Sequence, residues 1–420
     1  MNIDSLRINP DRLRADFDAL AQFGATGDGG VHRPSLSEAH LAARAWFREQ
    51  IEKAGLEFRK DGAGNHSAFL PPPQLSPVTD KEGSAKTLLL GSHLDSVPHG
   101  GRFDGALGVM CALEVLRVVK ENQVALAIAM RLEAIDFTDE EGTLVGLLGS
   151  SAMGGHLRAE NLYKPRGGRA AFLEGIQRAG LTEEGMLNAK RESLGGYLEV
   201  HIEQGKQLVN AGKQIGIVTN IVGISAYRLT FVGRADHAGS TTMQDRRDAA
   251  QGASAFALAA REIVLQDFPG CVGNVGRMDF APGAFNIVPA HVTVALEFRA
   301  PTEDEITRLD AALIERAKIE AQRFGLQLEI EFLGKHAPSP MSELAQNAIR
   351  DACDALDLSH IPLVSGAGHD AQSLVQLCPV GMIFVPSVEG ASHSPREFTE
   401  WHDCVNGANV LLHAALQIAA

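Results

Sequence analysis

GSHLDSVPHGGRFDGALG, residues 91–108, joins two segments of different character. Before it, Thr87–Leu90 is a short apolar run of the kind that forms a buried strand. After it, Ala106–Val119 is apolar at helical spacing, and Asp104 stands where it can cap that helix. His93 and Asp95 fall just past the end of the strand. His93 with Asp95 and Asp104 in a glycine-rich turn are the donor types of a divalent-metal site. A polar surface turn of the same composition is the plain alternative, so the choice rests on what other segments bring.

Three later apolar runs end in a similar way. The run 125–137 is followed by TDEEG, Thr138–Gly142, which places Asp139, Glu140 and Glu141 together. Three adjacent acids directly after a buried strand are costly unless something positive lies nearby; an exposed acidic turn is the other reading. Tyr197–Ile202 ends with His201, and Glu203 lies just beyond. A single His there is more often structural than a ligand. Val380–Val385 leads to a loop that holds His393. In open α/β sheets, ligands bind in the crevice outside the carboxyl ends of the strands. Four unrelated polar turns do not predict this shared position, so together the residues favour a metal site.

Length and composition set the bounds. At 420 residues the chain is too long for one ordinary core, and two domains are expected. A hydrophobic content of 45% with 21% charged residues is that of a soluble globular protein. The formal net charge of −14, with no Lys/Arg cluster, argues against nucleic acid as a partner. No apolar run approaches the roughly 18–20 residues of a membrane span, and the first residues carry no signal-peptide pattern. The five cysteines, Cys111, Cys271, Cys353, Cys378 and Cys404, form neither a CxxC pair nor a disulfide framework. A reduced, cytoplasmic protein is expected.

Around the four strand ends, the pattern predicts helices over Pro10–Phe23 and Ser37–Gly55, short strands at Leu56–Lys60 and Asn65–Leu70, and a turn over Pro71–Pro77. From about Thr219 to Glu331 the order becomes strand (Ala226–Val232), helix (Ala249–Val264), strand (Cys271–Met278), strand (His291–Arg299), helix (Thr302–Phe324), strand (Leu326–Phe332). This β-α-β-β-α-β order is the ferredoxin-like split βαβ. It is expected as an inserted domain over residues 219–332, with a catalytic α/β domain formed by residues 1–218 and 333–420.

Taken in order, GSHLDSVPHGGRFDGALGV, DEEG, HIEQG, GRADHAGSTTMQDRRDA, NIVP with Arg299 beyond it, SGAGHDA and SHSPREFT resemble the amidase/hydantoinase–carbamoylase family, within the wider group of di-metal peptidases and aminoacylases. The resemblance spans nearly the whole chain, and it lies in the order and combination of the motifs. It implies a di-metal exopeptidase-like α/β catalytic domain, a mixed sheet flanked by helices, with an inserted ferredoxin-like α+β lid and dimerisation domain. It also implies two divalent ions per subunit, zinc, manganese or similar. His93 and His201 would hold one ion, Glu141 and His393 the other, and Asp104 would bridge them; imidazole and carboxylate suit such ions. Asp95 would fix the His93 ring from behind. Glu140 would be the general base acting on a water. His237 would donate to the oxyanion across a dimer interface. Gln204, Asn286, Arg299, Gly368 and His369 would contact substrate beside His237, with Arg299 gripping a carboxylate.

The activity implied is cleavage of the carbamoyl C–N bond of an N-carbamoyl-L-amino acid, giving the amino acid, ammonia and carbon dioxide. Allantoate and β-ureidopropionate are the near alternatives; a dipeptide or an N-acyl amino acid is more distant. The partners implied are a small carboxylate-bearing substrate and a second copy of the chain, joined through the lid. The sequence departs from the family pattern at Gly142–Ser150, GTLVGLLGS, where relatives carry Ser/Ala-Arg-Phe in a longer segment. That leaves the substrate's identity open. Thr242 stands where a proline is common.

Overall fold

The computed structural model describes residues 5–70, 86–122, 128–192 and 194–420. The turn expected over Pro71–Pro77 lies outside these, as do residues 125–127 of the second apolar run. The chain divides into two compact units, Met1–Thr219 with Pro340–Ala420, and Asn220–Ser339. In chain order the strands are β1 (Glu57–Lys60), β2 (His66–Leu70), β3 (Thr87–His93), β4 (Arg131–Phe137), β5 (Leu194–Ile202) and β6 (Ile215–Ile221). Then come β7 (Gly223–Val232), β8 (Val272–Ala281), β9 (His291–Ala300) and β10 (Gln327–His336), followed by β11 (Ser339–Pro340), β12 (His360–Ser365) and β13 (Val380–Val385).

The first unit is built on a mixed sheet of order β1-β2-β4-β3-β5-β13-β6-β11, with β12 beside β6. Its centre, β4-β3-β5-β13, is parallel throughout, with His93 opposite Phe137 and His201 opposite Phe384. The flanking pairs β2–β4 and β13–β6 are antiparallel. Side chains alternate faces along a strand. On β5, Leu198, Val200 and Ile202 join the apolar core with the helices Ala106–Glu121 and Trp401–Ala419. Tyr197, Glu199 and His201 point the other way. The helix Ala106–Glu121 is buried from Ala106 to Val119, as its near-continuous apolar sequence requires. Its one buried acid, Glu114, is matched by Arg12, with 2.7 Å between Oε2 and Nε.

Several strand and helix bounds differ from the sequence reading. β3 runs on past the expected Leu90, so His93 is its last residue and does not lie beyond its end. Asp104 does not cap the following helix: Gly105 takes the N-cap position, with φ 63° and no side chain to cap with, and its own N–H donates to His201 Nε2 at 3.3 Å. Only glycine serves at residue 105, because a Cβ there would overlap the imidazole of His93.

The second unit is a four-stranded antiparallel sheet of order β10-β7-β9-β8 with two helices, Ala249–Asp267 and Glu303–Arg323. This is the ferredoxin-like arrangement. On β9, Val292, Val294, Leu296, Phe298 and Ala300 are buried in an apolar core shared with both helices. β10 pairs with β7 as far as His336, opposite Ile224, so the second unit runs beyond residue 332 to Ser339.

Candidate metal centre

The four parallel strands end at one rim, and the chain leaves the adjacent strands β3 and β5 in opposite directions, from β3 to β4 on one side and from β5 to β6 on the other. Such a switch point opens a crevice at the carboxyl ends. His93 and His201 stand there, both rings buried. His93 Nδ1 lies 3.0 Å from the carbonyl of Asp95, and His201 Nδ1 lies 2.9 Å from the carbonyl of Ile202. Each contact puts the ring proton on Nδ1 and turns the Nε2 lone pair into the crevice, as a metal ligand needs.

Both Nε2 atoms face the same oxygen, Asp104 Oδ1, at 3.5 Å from His93 and 3.1 Å from His201. The other oxygen, Oδ2, lies 3.4 Å from His393 Nε2, which in turn lies 3.6 Å from Glu141 Oε2. Two ligand groups, His93–Asp104–His201 and Asp104–Glu141–His393, therefore share one carboxylate. Glu199, His201 and His369 also converge. There Glu199 already accepts from Ser92 Oγ at 2.7 Å and from the Ala371 N–H at 3.3 Å, and His369 Nε2 pairs with Ser365 Oγ at 2.9 Å.

The acids after β4 divide their work. Asp139, in the left-handed region at φ 58°, turns its carboxylate back on the N–H groups of Leu144, Val145 and Gly146 and shapes the loop that follows. Glu140 Oε2 comes within 3.6 Å of His93 Nε2, while Glu141 faces His393. Asp95 supports both. Its main-chain carbonyl, not its carboxylate, holds the His93 ring; its carboxylate oxygens accept from the N–H groups of Glu140 and Glu141, each at 3.3 Å. Glu203, an acid at a strand end, caps the helix Gln207–Ala211 through the N–H groups of Gln207 and Leu208. Gln204 and His393, like Asp139, are non-glycine residues at positive φ, 56° and 53°. Strain of this kind collects at functional sites.

Charge at the centre is unbalanced. Burial drives Glu140 well above the usual carboxylate range, with Asp370, Glu141 and Asp104 adding to it. Burial, together with Asp104, pushes Glu141 up to about 8. Desolvation alone would hold His93 neutral, yet Glu140, Asp104 and Asp95 outweigh it and raise its pKa. The bond to Asp104 takes His393 up to about 9. Asp104 goes the opposite way: the three imidazoles overcome its burial and hold it well below the ordinary value. A cluster of buried carboxylates and imidazoles that can be neutral only by taking up protons is suited to divalent cations.

Several residues that hold the centre were not singled out from sequence. Glu397 Oε1 accepts from the N–H groups of Phe103 at 2.8 Å and Asp104 at 3.0 Å. Ser392 Oγ sits between Asp104 Oδ2, at 3.1 Å, and Glu397 Oε2, at 2.9 Å. Arg33, fully buried, donates Nε to the Leu94 carbonyl at 2.6 Å. Arg44 and Asp136 form a buried pair at 2.7 Å, and Asp136 Oδ1 accepts from the Leu94 N–H at 2.9 Å. The segment between His93 and Asp95 is thus gripped from two sides. The motif SHSPREFT contained Ser392 and Glu397, but an acid beside a ligand loop carries no mark of its partners.

The remaining expected residues have definite surroundings. Gln204 Nε2 donates to Asp104 Oδ2 at 2.8 Å, while its buried Oε1 has no hydrogen-bond partner among the described residues. His369 is buried with its ring 4.5 Å from that of His201, and burial lowers its pKa, so it is neutral. Gly368 precedes it, close to Gln372. In the second unit, His237 and Asn286 belong to neighbouring segments: His237 bridges to Ile287, and the Ala238 N–H donates to the Asn286 carbonyl at 3.0 Å. His237 Nδ1 accepts from the N–H groups of Gly239 and Ser240, at 3.1 and 3.2 Å, which leaves the proton on its exposed Nε2. Arg299 lies on β9 with Nε and Nη2 on Glu297 Oε1, at 3.0 and 2.8 Å.

Comparison with known proteins places this arrangement in a family. The model of peptidase family M20/M25/M40 matches residues 89–417, and the chain belongs to that family. An N-carbamoyl-L-amino acid amidohydrolase of Geobacillus stearothermophilus is 36% identical, covering 98% of this chain and 99% of its own. An allantoate amidohydrolase of Bacillus subtilis is 31% identical over 95% of both chains. The crystal structure of a hydantoinase/carbamoylase family amidase from Burkholderia multivorans superposes with a TM-score of 0.89 at 33% identity, covering 99% of each chain.

Proposed function

We propose that this protein is a metal-dependent amidohydrolase that cleaves the carbamoyl C–N bond of N-carbamoyl-L-amino acids, releasing the amino acid, ammonia and carbon dioxide. The observation that carries the reading is the single carboxylate, Asp104, with one oxygen toward His93 and His201 and the other toward His393. The donor set fits two divalent ions of the zinc or manganese type, with Glu141 completing the second position. When bound, such ions polarise the substrate carbonyl and lower the pKa of a water.

The chain's own groups then have separable tasks. Glu140, whose pKa burial raises, takes a proton from water and returns it to the leaving nitrogen. The orphan Oε1 of Gln204 is an acceptor, and its amide is kept in that orientation by the bond from Nε2 to Asp104. A ureido group, rich in N–H donors, satisfies it. His237 offers its Nε2–H to the developing oxyanion, Asn286 and the Gly368–His369 segment position the substrate, and Arg299 grips its carboxylate. His237 acts on the partner's site in a homodimer formed through the second unit. Support for that pairing is β8, a ten-residue edge strand that pairs only with β9 among the described residues; an open strand edge is a template for another chain. Five cysteines, all buried and unpaired, fit a reducing cytoplasm.

The test is ammonia release by chelator-stripped and metal-loaded protein on N-carbamoyl-L-amino acids, allantoate, β-ureidopropionate and a dipeptide. Carbamoyl amino acids are expected to be turned over only with metal. Allantoate as the preferred substrate would move the assignment to the near alternative, and full activity of metal-free protein would remove the metal.

A further inference from the structure

The two ligand groups are not held equally. In the first, His93 and His201 stand on adjacent parallel strands, with buried rings and Nδ1 fixed on main-chain carbonyls. In the second, His393 lies on a loop, its side chain 54% exposed, and no hydrogen bond holds its Nδ1 among the described residues. What secures that loop is its neighbours. Glu397 is buried, at 4% exposure, and takes the N–H groups of Phe103 and Asp104 on one oxygen. Its other oxygen meets Ser392 Oγ, which also touches Asp104 Oδ2. The turn before Asp104 closes on this carboxylate so tightly that a Cβ at Gly101 would overlap it. Asp104 and His393 come from segments nearly three hundred residues apart, and the Glu397–Ser392 pair ties one to the other.

We propose that Glu397, acting through Ser392, is the positioning residue that assembles the second ion site, Asp104 Oδ2 with Glu141 and His393, while the first site, whose two histidines are fixed on buried strands, depends on it less. This rests on the two-ion reading above. A carboxylate that fixes both a ligand's main chain and the loop of a second ligand sets the spacing between them; outer partners of this kind typically carry about 10–100-fold in metal affinity. Gln at 397 keeps an acceptor oxygen for the two N–H groups and a polar atom for Ser392, so it preserves the tie. Ala does not.

The experiment is calorimetric titration of zinc or manganese into chelator-stripped full-length protein, with the ions retained after gel filtration counted by mass spectrometry. Wild type is expected to hold two. Glu397→Ala is expected to bind the second ion about 10–100-fold more weakly with a smaller loss at the first, and Glu397→Gln to restore it. Ser392→Ala, a smaller change that keeps the fold if Glu397→Ala does not, is expected to weaken the second ion in the same direction. Unchanged second-ion affinity in Ser392→Ala or in folded Glu397→Ala, or equal loss of both ions, overturns the proposal. Wild type binding fewer than two ions would instead refute the two-ion reading itself.

Discussion

Glu140 and Glu141 are neighbours in sequence with different surroundings. Asp95 pins both of their main-chain N–H groups, which fixes where each side chain departs. Replacing Glu140 by Gln removes the proton acceptor and leaves the ligand groups intact. Turnover is expected to fall by about 10²–10⁴-fold with the metal content unchanged; near-normal kcat in that variant would take Glu140 out of its role. The second ligand group also has a pH dependence of definite sign. Glu141, raised to about 8, and His393, raised to about 9, must each lose a proton to bind a cation. Protons therefore compete as pH falls through those values, so metal binding releases protons and weakens toward acid. Calorimetry in buffers of different ionisation enthalpy measures the protons released; a count of zero at neutral pH contradicts the assignment.

Among the elements, the helix Glu38–Lys53 matters beyond its apolar face. Its Arg44 crosses to Asp136 on β4 and to the carbonyls of Gly64 and Phe137. Asp136 then holds the N–H of Leu94, next to His93. Burial pushes the Asp136 carboxyl up, and Arg44 opposes that shift. Arg44→Ala leaves a buried carboxylate unpaired, and the expected loss of stability is about 3–5 kcal/mol, read by urea unfolding. The turn before the helix Ala106–Glu121 has its own requirement. Gly105→Ala drives a methyl into the His93 ring at a left-handed position, so this variant is expected to lose metal affinity; metal titration checks it.

At the level of the whole molecule, the division into two units separates the groups proposed to hold metal, together with Gln204, Gly368 and His369, from the residues proposed to grip the carboxylate and the oxyanion. The ligand groups lie in the unit formed by Met1–Thr219 and Pro340–Ala420, whereas His237, Asn286 and Arg299 lie in Asn220–Ser339. If His237 serves the partner's centre, His237→Ala and Glu140→Gln are each inactive alone. Mixing them under subunit exchange is expected to restore part of the activity, since one site in each mixed dimer keeps both groups. No recovery, with exchange confirmed, would make the site a single-chain one.

Sequence alone was enough for the architecture and for the residue types at the rim. Apolar runs of strand length each ended in His or acid, and the β-α-β-β-α-β order marked the inserted unit, because periodicity and turn chemistry are local properties. The tertiary structure decided which polar groups do which work. Asp139, Glu140 and Glu141 look alike in a string, yet one closes a loop and two enter the crevice. Glu203 and Glu397 are equally anonymous acids; one caps a helix, and the other reaches the main chain of Asp104 from 293 residues away. Asp104 itself suited a helix cap by position and was claimed instead by three imidazoles. The physical reason is that a carboxylate's role depends on which donors and charges lie within about 3–4 Å of it, and here those partners come from segments that only folding brings together.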